Sequence, residues 1–406
     1  MPTRWIIGLA SGSSADEVDA ALLEVEGVGL ELRPRLVGSL HQPYGPDLKD
    51  LIRRVSGPAP CETREVSLLH RLLGESFAAA ARAAADQASL SLQQVQVIGC
   101  PGHTVWHDSE GRFPSTLPLG MAAVVAERCG VTTVSDFRCR DVAAGGQGVP
   151  LAALTDYLLF RSPRESRVLL HLGATARVVF LPAGGKPSDA TGFEAGPCNV
   201  LLDAMMRNLT SGRAEFDAGG KHAVQGKCVE PLADAWLAHP YFSKRPPKCL
   251  PRHLFGEAFA AQVLQQARET HTGLHDLLCT ATHFVARGVA SAMQRFLPSG
   301  PSPDRILLSG GGVRNGLLWG LLQQQTPEAR LCRTDEAGVP VAMRKALSFG
   351  LLAGLTVDGV SGNVPSATGA AGPRLLGSLT PGSSANWARC LAWMAAQSPP
   401  LPSGSD

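Results

Sequence analysis

Phosphate groups are held by backbone N–H donors only where the chain comes very close, which demands small residues at the contact. Three stretches of this 406-residue sequence meet that demand. The first is WIIGLASGSSADEVDAALLEVEG (5–27), in which Gly12, Ser13 and Ser14 separate two apolar runs and Asp16, Glu17 and Asp19 follow. No lysine stands at the offset of a Walker loop, and VDAALLEVEG alternates like a returning strand. The stretch therefore reads as a β-hairpin phosphate loop, with a plain surface turn as the alternative. Asp16 and Asp19 offer carboxylates suited to the hydration shell of Mg²⁺, and Asp16 is the candidate metal ligand. The second stretch, RVLLHLGATARVVFL (167–181), is a hairpin around Gly173, Ala174 and Thr175. The third, RILLSGGGVRNGLLWGLLQQQ (305–325), is a short strand, the glycines Gly310, Gly311 and Gly312, then apolar residues at helical spacing. His103 and His107 flank Trp106, a pattern open to metal binding, acid–base work or a structural role, whereas His171 reads as a core histidine at a strand end. The ten cysteines include no CxxC pair, which argues against zinc and against a disulfide framework.

The elements that must position these residues follow the pattern of an α/β protein. Each hairpin opens one half of the chain, which suggests a duplication. Long Ala/Leu-rich amphipathic segments starting at Arg64, Phe255 and Leu277 are suited to covering sheets. Hydrophobic residues make up 44% of the chain, enough for two packed domains. The expected lobes are 1–160 and 161–395, with a frayed Pro/Ser-rich tail at 396–406. A formal net charge of +2 without a basic stripe points to a small-molecule partner and away from nucleic acid. No apolar run approaches a membrane span and no leader pattern opens the chain, so a cytoplasmic protein without membrane contact is expected, with a homodimer left open.

Two such hairpins together with SGGGVRN resemble the duplicated nucleotide-binding fold of actin and hexokinase. A more specific likeness lies in VSDFRCRDVAAGGQGVPLAALTDYLLF (134–160), GSSADEVDAAL from Gly12, GHTVWH from Gly102, GFEAGPCNVLLDA from Gly192, FDAGGKHAVQG from Phe216, PYFSKRPPK from Pro240, LLSGGGVRNGLL from Leu307, TDEAGVP from Thr334 and GNVPSATGAAGPRLLGSLTPG from Gly362. In this order, across almost the full length, they resemble the signature of the 1,6-anhydro-N-acetylmuramic acid kinases.

The resemblance implies an α/β, two-lobed, duplicated actin-like (ribonuclease H-like) ATPase fold with the nucleotide in a cleft between lobes. It implies an ATP- and Mg-dependent sugar kinase in which water opens the 1,6-anhydro bridge while the freed six-position oxygen takes the γ-phosphate, giving N-acetylmuramic acid 6-phosphate. Carried over by position, Gly12, Ser13, Ser14, Ala15, Asp16, Glu17, Val18 and Asp19 face the ATP phosphates, as do Gly173 and Thr175 from the second hairpin. Gly310, Gly311 and Gly312 lie near the adenosine. His103, Thr104, Arg138, Asp141, Gln147 and Gly148 shape the sugar side, with Arg138 and Asp141 open equally to a structural ion pair.

The pattern breaks at several of these motifs. The water-activating carboxylate, an Asp in the family, is Glu194, longer by one methylene or about 1.5 Å, and displacement of about 1 Å can cost two orders of magnitude in rate. Cys198 replaces a glycine and crowds the turn before Asn199. Lys345 stands where the family has a carboxylate, Pro118 and Met121 replace two hydrogen-bonding side chains, and Arg177 and Ala174 alter the second hairpin. Glu17 replaces a loop glycine and brings a negative charge toward the phosphates. Two alternatives to an active kinase on the family substrate follow: a kinase with a shifted sugar, and a weakened or inactive homologue that binds nucleotide or sugar.

Overall fold

The opening stretch forms the hairpin that its alternation predicts. In the computed structural model, which describes residues 3–12, 16–251, 254–269, 272–298 and 302–397, β1 (Thr3–Ser11) pairs antiparallel with β2 (Glu17–Glu26), and Ser11 lies opposite Val18. β2 continues into β3 (Arg33–Pro43), again antiparallel. On the other side of β1, β4 (Val95–Cys100) adds in parallel, a separate ribbon of β5 (His103–Asp108) and β6 (Ser115–Leu119) follows, and β7 (Thr132–Ser135) then pairs parallel to β4. A short strand, Ser378–Thr380, closes that edge.

The period-two pattern divides the faces of this sheet. Ile7, Leu9, Val18, Ala20 and Leu22 enter a core with Leu73, Phe77 and Ala81 of the helix Thr63–Gln87. The opposite face receives the helix Arg344–Val357, and two glycines decide how closely. A Cβ on Gly8 would stand 1.9 Å from the Ala346 carbonyl oxygen, and one on Gly99 would stand 2.1 Å from that of Phe349. The helix backbone rests directly on the strands, which only glycine permits.

The second unit repeats the plan. β8 (Arg167–Leu172) and β9 (Thr175–Leu181) form the second hairpin, β10 (Thr191–Pro197) extends it antiparallel, and β11 (Arg305–Ser309) and β12 (Arg330–Arg333) add in parallel beyond β8. Its core is rich in aromatic pairs, Phe242 meeting Phe284 of the helix Leu274–Phe296 edge-on at 5.4 Å. Strand order β3-β2-β1-β4-β7 in one sheet and β10-β9-β8-β11-β12 in the other is the same order with the same directions. This is the ribonuclease H-like sheet of the actin-like ATPases, present twice.

Two expectations about boundaries are corrected. The units are not contiguous lobes: 343–363 and 370 onward group with the first unit, and 364–369 with the second. The reason is the helix Arg344–Val357, whose place is the glycine-lined face of β1 and β4. Residues 396 and 397, expected to open a frayed tail, belong to the helix Ser384–Gln397, and the rest of that expectation, 398–406, lies outside the described residues. No helix among the described residues is long and apolar enough to cross a membrane.

Candidate active site

In the first unit the loop between β1 and β2 is held from both ends. Ser11, the last residue of β1, is hydrogen-bonded through Oγ to Nδ1 of buried His103 at 2.9 Å, which ties the start of the loop to the GHTVWH motif. Thr104 follows on β5, half-buried and paired across the ribbon with Pro118. At the loop's other end the Tyr44 N–H donates to the Asp16 carbonyl at 2.9 Å, and the Asp16 carboxylate lies 3.4 Å from Lys49 Nζ. Gly12 leads into the loop, and Ser13, Ser14 and Ala15 lie outside the described residues. Val18 departs from expectation: its side chain is fully buried among Leu9 and Leu22, so strand alternation turns it away from any ligand.

Glu17 and Asp19 share the other face of β2. His41 Nδ1 lies 2.6 Å from Asp19 and 3.6 Å from Glu17, and the donor atoms of all three are close enough to hold a cation. Burial raises the Asp19 pKa above its usual value. The hydrogen bond and charge of His41 oppose that rise, Glu17 adds to it, and Lys345 lowers it again. Lys345 thus sits in the first turn of the helix Arg344–Val357 with its charge acting on Asp19. Two departures read separately in the sequence, an added carboxylate at 17 and an inverted charge at 345, converge on one residue.

Arg138 and Asp141 grip a single loop residue. The Arg138 guanidinium donates to the Gly148 carbonyl, while the Gly148 N–H donates to Asp141 Oδ2 at 2.8 Å. Asn363 Nδ2 donates to the other Asp141 oxygen at 2.8 Å. Gly148 has φ +66°, which favours glycine, and Gln147 beside it accepts from Ser109 Oγ at 2.9 Å. Asp141 has no exposed surface, so the expectation that it lines the sugar is corrected: it shapes the loop that carries Gln147 and Gly148.

In the second unit the hairpin turn, the glycine motif and Glu194 come together. The Gly173 and Ala174 carbonyls accept the N–H groups of Asn199, Cys198 and Val200 at 3.0, 2.9 and 3.1 Å, so the first turn of the helix Asn199–Leu209 braces the turn. The Cys198 side chain expected to crowd this turn is taken into the core. Gly310 has φ +85°, and a Cβ there would meet the Leu172 carbonyl oxygen at 2.5 Å. A Cβ on Gly312 would meet Leu172 Cβ at 2.7 Å, and one on Gly311 would lie 3.3 Å from the Asn199 amide. His171, beside them, is buried and bonded to Ser309 Oγ at 3.0 Å.

Glu194 is 5% exposed and multiply bonded. Thr175 Oγ1 donates to its Oε1 at 2.7 Å; the Leu250 N–H donates to Oε2 at 2.7 Å and the Cys249 thiol at 3.5 Å. Its backbone is clamped as well, since its N–H donates to the Lys248 carbonyl at 3.2 Å and its carbonyl accepts from the Tyr241 hydroxyl at 2.7 Å. Lys248 is itself buried, its Nζ donating to the Tyr241 carbonyl at 3.2 Å between the rings of Tyr241 and Phe296, and burial pushes its pKa down to about 8. Arg177 Nε lies 3.4 Å from Glu194 Oε1 because the two residues are cross-strand partners in β9 and β10. The longer acid and the arginine that replaces a family Asn therefore form an ion pair.

Further candidate residues are Ser11 in the first unit and Arg177, Asn199 and Leu250 in the second. Asn199 was marked in the sequence by its place after the Cys198 turn and Arg177 as the replacement of a family Asn; Ser11 and Leu250 become visible only through packing.

The family model for anhydro-N-acetylmuramic acid kinase matches residues 4–382. A protein of that name from Gloeobacter violaceus is 38% identical over 94% of this chain and 100% of its own. Others, from Caldanaerobacter subterraneus subsp. tengcongensis and Acaryochloris marina, are 34% and 36% identical over 93% and 92% of this chain and 97% and 99% of theirs. With its duplicated sheet and its hairpin, glycine and carboxylate motifs in family order, the chain belongs to the anhydro-N-acetylmuramic acid kinase family.

Proposed function

We propose that this protein is an ATP- and Mg-dependent kinase that hydrolyses the anhydro bridge of 1,6-anhydro-N-acetylmuramic acid while phosphorylating its six-position oxygen. One observation carries the reading: the buried Glu194 carboxylate accepts a 2.7 Å hydrogen bond from Thr175 of the phosphate hairpin, so the base and the phosphate-binding turn are one rigid constellation.

Glu194 takes a proton from water as its oxygen attacks the anomeric carbon. The bond from that carbon to the six-position oxygen breaks, that oxygen attacks the γ-phosphorus, and ADP leaves. Clamping by Tyr241 and Lys248 fixes the direction of the carboxylate, and Thr175 and Leu250 fix its plane. Asp16 and Asp19 each offer a carboxylate of the kind a hydrated Mg²⁺ takes, and the ion, when bound, would neutralise charge developing on the transferred phosphoryl group. Gly310 and Gly311 offer a side-chain-free surface for adenosine, and Gly312, buried against Leu172, lets the turn approach the strand.

Purified protein with Mg²⁺, ATP and the anhydro sugar is expected to release ADP one for one with a sugar phosphate heavier than the substrate by one water and one phosphoryl group. A phosphorylated product that keeps its anhydro ring, or ADP release independent of sugar, refutes the coupling. A second reading, a nucleotide-binding homologue without turnover, draws on the fact that both Glu194 oxygens already accept bonds. It predicts a rise in Tm with ATP and no ADP above the blank.

A further inference from the structure

Apart from the catalytic constellation, the second unit gathers a set of mixed donors. The ligand atoms of Cys228, Glu230 and His283 all lie within 4.8 Å of one another. Metal bonds of about 2.0–2.3 Å at tetrahedral angles set donors about 3.3–3.8 Å apart, so this cluster is within about 1 Å of a closed site. Cys279 lies one helical turn before His283 on the same helix but is not one of that group. The three donors are a CxE pair and a histidine more than fifty residues later, which is why a search for CxxC passes over them.

We propose that Cys228, Glu230 and His283 form a Zn²⁺ site that fastens the segment entering the helix Glu230–Leu237 to the helix Leu274–Phe296. Thiol, imidazole and carboxylate together select Zn²⁺ over the harder Mg²⁺ of the reaction. Main-chain bonds independent of metal hold the donors in place. The Lys227 N–H donates to Asp276 at 2.7 Å and the Val229 N–H to Thr280 Oγ1 at 2.9 Å, fixing Cys228 between them against the helix. Arg287 donates to Glu230 Oε2 at 2.8 Å and also pairs with Asp234; it orients the carboxylate and leaves Oε1 as the metal donor.

The test uses the full chain, purified with reductant and titrated with Co²⁺ as a spectroscopic stand-in for Zn²⁺. One equivalent should bind with a thiolate-to-cobalt charge-transfer band, and Zn²⁺ should displace it and raise the Tm. Cys228→Ser and His283→Gln should each weaken binding at least tenfold, and Cys61→Ser, at an exposed cysteine elsewhere, should change nothing. Absence of the band in folded wild-type protein, or its persistence in Cys228→Ser, overturns the assignment. Should His283→Gln fail to fold, the near-isosteric Cys228→Ser decides alone.

Discussion

Replacing Glu194 by Gln separates its role as a base from its role as a strut. The two short bonds fall on different oxygens, one from an N–H that can only donate and one from a hydroxyl that can turn. Gln keeps its oxygen for Leu250 and presents its NH₂ to Thr175, whose hydroxyl then accepts. Both bonds survive without charge assistance, and Arg177 loses its partner, so E194Q should remain folded at a stability cost of about 1–2 kcal/mol, read by denaturant titration. An amide is no base, however, and loss of general-base catalysis costs about 10²- to 10⁴-fold in kcat, or about 3–5 kcal/mol. Coupled ADP release should fall by that factor while the KM for ATP changes little. A folded E194Q that keeps more than about a tenth of the wild-type kcat would refute the assignment of Glu194 as the base.

The remaining predictions concern the groups around the site. Lys345→Glu sets a third carboxylate against Asp19 and Glu17 and should raise the KM for Mg-ATP about tenfold, about 1.4 kcal/mol. Adding Glu17→Gly should recover part of that loss, giving a coupling of about 0.5–1 kcal/mol in a double-mutant cycle; strictly additive effects would show that the two do not act through Asp19. Gly310→Ala combines a left-handed φ with a Cβ pressed on the Leu172 carbonyl and should cost about 2–3 kcal/mol, so an unchanged Tm would contradict the close approach. The folded-state pKa of Lys248, about 8, lies below its unfolded value of 10.5. The unfolded chain therefore binds the extra proton between those values, and stability from this residue rises with pH through that window. Wild type should gain about 1–2 kcal/mol on Lys248→Met from pH 8 to 10, and a constant difference would show that the lysine does not titrate in the fold.

Both hairpins were legible because alternation and small-residue turns are local signals, and their spacing foretold the duplication. The parallel additions of β4, β7, β11 and β12 carry no local mark, since each pairs with a strand far away in the chain. The position of the helix Arg344–Val357 was hidden for a related reason: Gly8 and Gly99 look like ordinary strand residues until a backbone lies on them. Within the site, Glu194, Thr175 and the three glycines were found by motif. The pairing of Glu194 with Arg177 depends on the register of β9 against β10, and that of Lys345 with Asp19 on a helix from the other end of the chain. The departures therefore looked like separate losses when they are neighbouring exchanges of charge.

The return of residues 343–363 to the first unit also dictates how this protein comes off the ribosome. The second unit draws nearly all its chain from 160–342 and can assemble while synthesis is still under way. The nascent sheet of β1 and β4, by contrast, must wait with a bare glycine-lined surface until about the last sixth of the message is read, and this strongly non-local contact slows its closure.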